Sequence, residues 1–303
     1  MADIENPSTP STITAWNTTG NVSFWQNRRT KELISHGISH FILIVGALIM
    51  IIPFIWMLST SFKAPGKTFV YPPEWFPRPF VWQNYVEMWS ALPFNQFFLN
   101  SIKIAALSTI GQLLTCSMGA FAFSVLKFKG RDILFFTLIA TLMIPYQVTL
   151  IPTFILFSKI GWVGTHLPLW VPAFWGGAFG TFLLRQFYLT IPIDLAESAR
   201  IDGANIFQIF THIYIPLSKP ALATLGIFTF MWRWNDLLDP LIFVSELKQL
   251  TLTVGLSFFQ NQYGGKWTLM MAGAVVSILP ILLVFFFAQK YFIQGIAMTG
   301  IKR

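Results

Sequence analysis

Long stretches without a charged residue run along most of this sequence. Asp, Glu, Lys and Arg are absent from four intervals, between Glu32 and Lys63, Asp132 and Lys159, Lys159 and Arg185, and Lys266 and Lys290. A helix needs about 20 apolar residues to cross the hydrocarbon layer of a bilayer. Each interval therefore predicts one transmembrane helix, at roughly 38–59, 133–157, 166–189 and 268–290.

Two further apolar stretches carry a few charges. The first, at about 97–125, contains only Lys103, and the second, from Leu217 to about Val244, is interrupted by Arg233, Asp236 and Asp239. None of the stretches shows the two-residue period of a strand. The pattern predicts an all-α membrane protein with six transmembrane helices. These form one domain at 36–303 (core 95–292), after an N-terminal tail at 1–35 that is predicted to be disordered because its early part lacks any apolar period.

The composition excludes most other classes of protein. Hydrophobic residues make up 54% of the 303 residues and charged residues only 11%, against about 25% charged in a soluble domain. The one cysteine, Cys116, has no partner for an internal disulfide. The net charge of +8 is interpreted by position relative to the bilayer, and no nucleic-acid partner is expected.

The distribution of Lys and Arg predicts the orientation of the chain. With the N-terminus inside, twelve basic residues fall in cytoplasmic segments: Arg28, Arg29, Lys31, Lys127, Lys129, Arg131, Arg185, Arg200, Lys219, Lys290, Lys302 and Arg303. Six fall outside: Lys63, Lys67, Arg78, Lys159, Lys248 and Lys266. Because cytoplasmic loops carry the excess of basic residues, both termini are predicted to be cytoplasmic.

One predicted cytoplasmic segment, 191–216, is polar yet has a helical pattern. Pro192 and Asp194 are typical of a helix start, and Gly203 suits a break that needs a positive φ. A second helix with an apolar face follows at 206–213 and is expected to end before Pro216. The segment predicts a helix–turn–helix finger that fits a cleft in a cytoplasmic partner.

The residues of this finger carry a family resemblance. Glu197, Ser198 and Ala199, followed by Asp202, Gly203 and Ala204 and then by Ile213-Tyr214-Ile215-Pro216, resemble the EAA loop of ATP-binding-cassette importer permeases. The family pattern is Glu-Ala-Ala, three residues, Gly, nine residues, then Ile-x-Leu-Pro. Ser198 and Ile215 are the two departures, and both are mild. Segments around Asn100-Ser101, 121–131, 234–241 and 289–295 are similar to the carbohydrate permeases of the maltose and glycerol-phosphate type, over about residues 40–303.

The resemblance implies a fold, a role and a set of partners. The fold is that of a type I importer permease in the inner or plasma membrane of a prokaryote. The role is one permease subunit of an ATP-driven importer for sugars or sugar derivatives. Its partners are a second, usually non-identical permease, a dimer of ATP-hydrolysing subunits that hold ATP and Mg²⁺, and an extracytoplasmic sugar-binding protein. The resemblance also implies that the chain itself has no cofactor or ATPase site. The residues expected to couple it to the ATPase are Glu197, Ser198, Ala199, Asp202, Gly203, Ala204 and Pro216.

The charges in the apolar stretch from Leu217 to about Val244 admit two interpretations. Arg233 lies 13 residues past Pro220, which is roughly 20 Å along a helix. This distance predicts a position in the outer half of the bilayer, where an unpaired charge costs several kcal/mol. Arg233 and Asp236 are spaced to form a self-neutralising pair near the outer interface. Alternatively they line the translocation path, with Trp234 stacking on a sugar and Asn235 bonding its hydroxyls.

Other assignments have weaker support. Gly66-Lys67-Thr68 lacks the first glycine of a phosphate-binding loop, and His36 and His40 have no further ligand that would complete a metal site. No catalytic constellation supports a membrane enzyme. A permease of the same superfamily for amino acids or ions remains an alternative, as does an ion-coupled secondary transporter, although inverted repeats are not recognisable.

Overall fold

The computed structural model describes residues 28–261 and 265–300, and every regular element in those two ranges is helical. Most of the tail predicted to be disordered, residues 1–27, lies outside the described residues. The helices are α1 Arg28–Ser61, α2 Gln83–Ala91, α3 Phe94–Val125, α4 Arg131–Ala140, α5 Tyr146–Lys159, α6 Leu167–Trp170, α7 Ala178–Tyr188, α8 Asp194–Ile201, α9 Ile206–Ile209, α10 Ile215–Leu217, α11 Lys219–Trp234, α12 Leu238–Phe243, α13 Leu252–Asn261 and α14 Trp267–Gly300. The chain divides into two units, Met1–Ile55 and Trp56–Arg303.

Four segments in the described residues are long and apolar enough to cross a membrane. They are Ser35–Ser61, Phe94–Val125, Leu167–Tyr188 and Trp267–Phe287. Two further pairs of helices meet the same criterion together but are bent, Arg131–Met143 with Tyr146–Lys159 by 100° and Ile206–Leu217 with Lys219–Trp234 by 78°. The number of spans is therefore four, or up to six if each bent pair is one span, and the exact count of six stays a prediction.

The predicted helix at 133–157 is interrupted at its middle. A short 3₁₀ turn, Thr141–Met143, follows α4, and α5 begins only at Tyr146. Ile144 and Pro145 between them are extended, with ψ angles of 116° and 135°. Proline disfavours a helical conformation in the residue before it, so the sequence Ile144-Pro145 explains the position of the break.

Helix α3 is the central helix of the second unit, and two buried clusters form along its length. Phe94, Phe97 and Ile104 from its first half pack with residues of α11 to α14. Cys116 and Phe121 from its second half pack with residues of α7 to α11. One continuous helix therefore contributes to both clusters.

Close packing between helices occurs where the sequence has Gly176-x-x-x-Gly180. A Cβ atom on Gly180 would lie 2.8 Å from Sγ of Cys116 on α3 and 3.1 Å from both terminal methyl groups of Leu225 on α11. The small residue allows α7 to fit between these two helices. Gly180 is thus explained by packing inside the bundle, whereas Gly176 has φ of +88° and no atom within 4 Å of a Cβ.

Candidate functional site

The first helix of the finger ends in a glycine-dependent turn. Helix α8 runs from Asp194 to Ile201, and Gly203 follows with φ of +86°. The N–H of Ala204 donates to the carbonyl of Ala199 (2.9 Å), and the N–H of Gly203 donates to that of Arg200 (3.1 Å). This pair of bonds is the Schellman motif, which requires a left-handed residue at the position of Gly203.

The second helix of the finger starts on a capping box. The side chain of Asn205 accepts from the N–H of Gln208, and the side chain of Gln208 accepts from the N–H of Asn205, both at 2.8 Å. This reciprocal pattern satisfies two N–H groups that a helix start otherwise leaves unpaired. The spacing of Asn and Gln was available in the sequence and marks the start of α9 at Ile206.

The end predicted for the second helix differs from the observed one. The helix continues as a π-helical turn at Phe210–Tyr214 and then as α10 through Pro216 to Leu217. In the wider turn the N–H of Ile215 donates to the carbonyl of Phe210, five residues earlier. The π turn changes the hydrogen-bond register just before Pro216, which has no N–H to donate, and so the helix passes the proline.

The finger has one exposed surface and one buried surface. The motif residues Glu197, Ser198, Asp202, Gly203 and Pro216 are exposed, whereas Ala199 and Ala204 are half-buried. A concave cavity of about 410 Å³ lies between the two helices and is lined by Ala199, Asp202, Gly203, Ala204, Gln208, Ile209, His212 and Ile213. The exposed carboxylate of Glu197 and this concave surface are available to a partner.

The buried surface of the finger joins it to the helical bundle. Ala196, Ile209 and Tyr214 are at most 1% exposed. The ring of Tyr214 packs edge-on against Phe121 of α3 (5.0 Å between centroids) and against Tyr188 of α7 (5.3 Å). The finger is therefore attached through aromatic contacts to two helices of the bundle as well as through the chain to α11.

A second polar site lies where α11 ends. The guanidinium of Arg233 donates from Nη1 to Oδ2 of Asp236 (3.0 Å) and to Oδ2 of Asp239 (2.8 Å). Oδ1 of Asp236 also accepts from the N–H of Asp239 (3.2 Å). The hydroxyl of Tyr146 donates to Oδ1 of Asp239. We call Tyr146, Arg233, Asp236 and Asp239 the acidic cluster.

The two other predicted pathway residues lie beside this cluster in different environments. Trp234 is 2% exposed, stacks on Phe230 (5.6 Å), and donates from its indole N–H to the carbonyl of Ser277 (3.0 Å). Its ring offers no face to a ligand in this structure. Asn235 is exposed, and its side-chain amide donates to the carbonyl of Met231 (2.8 Å), which leaves its side-chain oxygen available.

Sequence reasoning missed the contribution of Tyr146 to this site. Tyr146 and Asp239 are 93 residues apart, and no local spacing rule connects them. The available signal was indirect: Tyr146 directly follows Pro145 at a break in a membrane helix, and broken helices expose polar groups at binding sites in membrane transporters. Among the described residues, no group of three or more His, Cys, Asp and Glu side chains is arranged to hold a metal ion.

Comparison with known proteins finds similarity to membrane components of transport systems. The family described as "binding-protein-dependent transport system inner membrane component" matches residues 113–298. The osmoprotective compounds uptake permease protein GgtD of Synechocystis is 32% identical over 294 residues (94% of this chain and 96% of that protein). The sn-glycerol-3-phosphate transport system permease protein UgpE of Pectobacterium atrosepticum is 31% identical over 279 residues (89% and 98%).

Two further similarities extend this result. The α-glucoside transport system permease protein AglG of Rhizobium meliloti is 36% identical over 233 residues, which are 75% of this chain and 61% of that protein. A crystal structure of a bacterial ABC transporter that imports the acidic polysaccharide alginate contains a chain of the same fold. It superposes with a TM-score of 0.76 at 25% identity, covering 86% of this chain and 98% of that one.

Proposed function

The chain belongs to the family of binding-protein-dependent transport system inner membrane components, and from this premise we propose that it is one permease subunit of an ATP-driven importer for sugars or sugar derivatives. The relatives in this family include permeases named for α-glucosides and for glycerol 3-phosphate. The chain is a multi-pass membrane protein, and in the proposed orientation both termini and the finger are cytoplasmic.

The exposed finger is the observation that carries this proposal. Glu197 projects from α8 into solvent, while Ala196 on the same helix is fully buried against the bundle. A rigid element with an exposed acidic surface and a buried aromatic base is suited to transmit the motion of a partner into α3, α7 and α11. We therefore assign coupling to the ATPase to Glu197, Ser198, Ala199, Asp202, Gly203, Ala204 and Pro216.

The proposed assembly has four kinds of component. Two ATP-hydrolysing subunits bind ATP and Mg²⁺ and receive the finger in a cleft. A second, non-identical permease completes the membrane pathway, and an extracytoplasmic binding protein delivers the sugar. This chain supplies no ATPase site of its own. Closure of the ATPase dimer moves the finger, and because the finger contacts the two ATPase states differently, the populations of inward-open and outward-open permease shift.

The translocation path is proposed to pass the end of α11. The side chains of Arg233, Asp236 and Asp239 are 19%, 12% and 15% exposed, so they are close to the surface of the chain and reachable from it. Asn235 is exposed next to them. Arg233, Asp236 and Asn235 are assigned to the lining of the path, whereas Trp234 supports it from the core.

The experiment is a reconstitution with the co-expressed neighbouring subunits in lipid nanodiscs. ATP hydrolysis is measured with candidate sugars and the binding protein, in the parent assembly and in Glu197→Ala. We expect sugar-stimulated hydrolysis that Glu197→Ala abolishes, with Asp132→Ala, an exposed carboxylate outside the finger, as the matched control. Unchanged stimulation in an intact Glu197→Ala assembly would refute the coupling role.

A further inference from the structure

A cavity of about 350 Å³ lies where the segment after α1 and helix α2 meet the start of α14, within the range of about 300–1,000 Å³ that is typical of small-molecule sites. Glu87 in its lining lies on α2, which directly precedes α3. The finger contacts α3 at Phe121, 27 residues past Phe94, or roughly 40 Å along a helix. The cavity and the finger are therefore at opposite ends of α3. The lining includes Thr68, Phe69, Glu87, Lys266, Trp267 and Thr268.

Two threonine side chains in this lining are buried without a hydrogen-bond partner. Thr68 is 7% exposed and Thr268 is 3% exposed. Within residues 28–261 and 265–300 neither hydroxyl forms a hydrogen bond, whereas Thr109 and Thr229 bond to a carbonyl of their own helix. A buried hydroxyl that lacks a partner is unfavourable, so these two hydroxyls are available to a polar ligand in the cavity.

Two aromatic rings form another part of the lining. Phe69 and Trp267 lie edge to face, with 5.5 Å between the ring centroids and 83° between the ring planes. Phe69 is 73% exposed, so a face of its ring is accessible to a ligand. Aromatic walls with a few polar groups are typical of small-molecule sites, and the C–H face of a sugar ring packs on such a surface as other apolar groups do.

The charged groups of the lining neutralise each other. Nζ of Lys266 donates to Oε1 of Glu87 (2.6 Å), and both side chains are about half exposed. No donor in the described part of the chain reaches the second carboxylate oxygen of Glu87, which therefore keeps its ability to accept a hydrogen bond. A lining with a free acceptor and no net charge suits an uncharged ligand that carries hydroxyl groups.

We propose that this cavity is a subsite that binds one uncharged sugar ring on the face of the permease opposite the finger. Phe69 and Trp267 pack on the C–H face of the sugar, while Thr68, Thr268 and Glu87 bond its hydroxyls. This inference rests on the proposed function, because it takes the cargo to be a sugar. It adds a contact on the face where, in the proposed orientation, the binding protein delivers that sugar.

The test measures the binding of methyl α-glucoside, a single uncharged sugar ring, to the complete importer in nanodiscs without its binding protein. Saturation-transfer NMR shows which protons of the probe contact the protein, and a titration gives the dissociation constant. Sorbitol, an open-chain polyol, shows whether a ring is needed. Glucose 6-phosphate shows the effect of a charge on the ligand.

Three variants remove parts of the lining, and two others are matched controls. Thr68→Val and Thr268→Val each remove one hydroxyl with little change in shape, and Phe69→Ala removes one aromatic wall. Phe76→Ala is the aromatic control, because this ring is 80% exposed in the same segment but does not line the cavity. Thr137→Val is the hydroxyl control, at an exposed position on α4.

Methyl α-glucoside is expected to bind more tightly than sorbitol and glucose 6-phosphate, with its ring C–H protons in contact with the protein. Its dissociation constant should rise about fivefold in Thr68→Val and in Thr268→Val, since each variant loses about one net hydrogen bond. In Phe69→Ala it should rise about tenfold through the lost ring contact. Both control variants should keep the dissociation constant of the parent.

Other outcomes decide against the inference. Absence of binding, or a dissociation constant that is equal in the parent and the three lining variants, overturns the subsite, while sugar-stimulated hydrolysis that Glu197→Ala abolishes leaves the proposed function standing. Tighter binding of sorbitol or glucose 6-phosphate overturns the assignment of the ligand. Weaker association of the binding protein in these variants, with unchanged sugar binding, assigns the cavity to that interface instead. If no sugar binds and none stimulates hydrolysis, the proposed function fails as well.

Discussion

The ring of Tyr214, at the base of the finger, lies edge-on against the ring of Phe121 on α3, with 5.0 Å between the ring centroids. Edge-to-face contacts of this kind stabilise a pair beyond the burial of its area. Phe121 also contacts Phe210 of the π turn, at 5.3 Å. Phe121 of α3 thus contacts the first and the last residue of the π turn.

This contact predicts an uncoupling mutation. In Phe121→Ala the finger loses two of its aromatic contacts with α3, and the motion of the ATPase is transmitted less completely. We expect sugar uptake per ATP hydrolysed to fall about tenfold, which corresponds to about 1.4 kcal/mol of lost coupling, while ATP hydrolysis continues. Phe136→Ala, at a 69% exposed ring, is the control. An equal fall in the control would show that the loss is not specific to the finger.

The turn at Gly203 predicts a second effect on coupling. With φ of +86°, Gly203→Ala places a Cβ in the left-handed region, at a cost of roughly 1–2 kcal/mol. No atom lies within 4 Å of that Cβ, so the cost comes from the backbone. Uptake coupled to ATP hydrolysis is expected to decrease in Gly203→Ala and less in Gly203→Asn, because Asn tolerates this conformation better. Equal activity of both variants and the parent would contradict the argument.

The close approach at Gly180 predicts a stability effect. Gly180→Ala brings a Cβ to 2.8 Å from Sγ of Cys116, and such overpacking costs about 1–3 kcal/mol. The melting temperature of the purified assembly is expected to fall, and Cys116→Ala in the same chain is expected to restore part of it. Gly119→Ala, whose Cβ would lie 3.4 Å from Thr181, is the matched control. Additive losses in the double variant would argue against this contact.

The segment after α1 predicts a further stability effect. The side-chain amide of Asn84 is buried, and its Nδ2 donates to the carbonyls of Ser61 and Lys63, both at 2.8 Å. Asn84→Ala leaves two carbonyls without this donor, at a cost of about 1–3 kcal/mol. Faster proteolysis within residues 62–82 and a lower melting temperature are expected. Ser90→Ala, which removes only an exposed hydroxyl bonded to Glu87, should behave like the parent.

The acidic cluster predicts the effect of removing its only cation. Arg233→Met leaves Asp236 and Asp239 without their shared partner, so the two carboxylates repel each other. The side chains are 12–19% exposed, so the loss is expected to be below the 3–5 kcal/mol of a fully buried pair, at about 1–3 kcal/mol. The melting temperature in nanodiscs measures it, and Arg233→Met with Asp239→Asn should recover part of the loss. A double variant less stable than either single variant would exclude this explanation.

The sequence determined those features of the protein that depend on near neighbours in the chain. Uncharged runs located the apolar helices, and spacing alone identified the finger with its turn at Gly203 and the pair of Arg233 and Asp236. These features are local because a helix places residues three or four positions apart on one face. The π turn before Pro216 was not predicted because a proline by itself indicates the end of a helix, whereas the spacing of Asn205 and Gln208 is the local signal of the capping box.

The tertiary structure decided which distant residues meet. It brought Tyr146 to Asp239, placed Trp234 in the core with its N–H on Ser277, and set Gly180 between Cys116 and Leu225. Hydrophobic pattern fixes which face of a helix is buried, but not which neighbour covers it, because any apolar partner of suitable size satisfies the same pattern. The neighbour of each buried face is decided by the simultaneous packing of all the helices around α3. It therefore cannot be predicted from any single segment of the sequence.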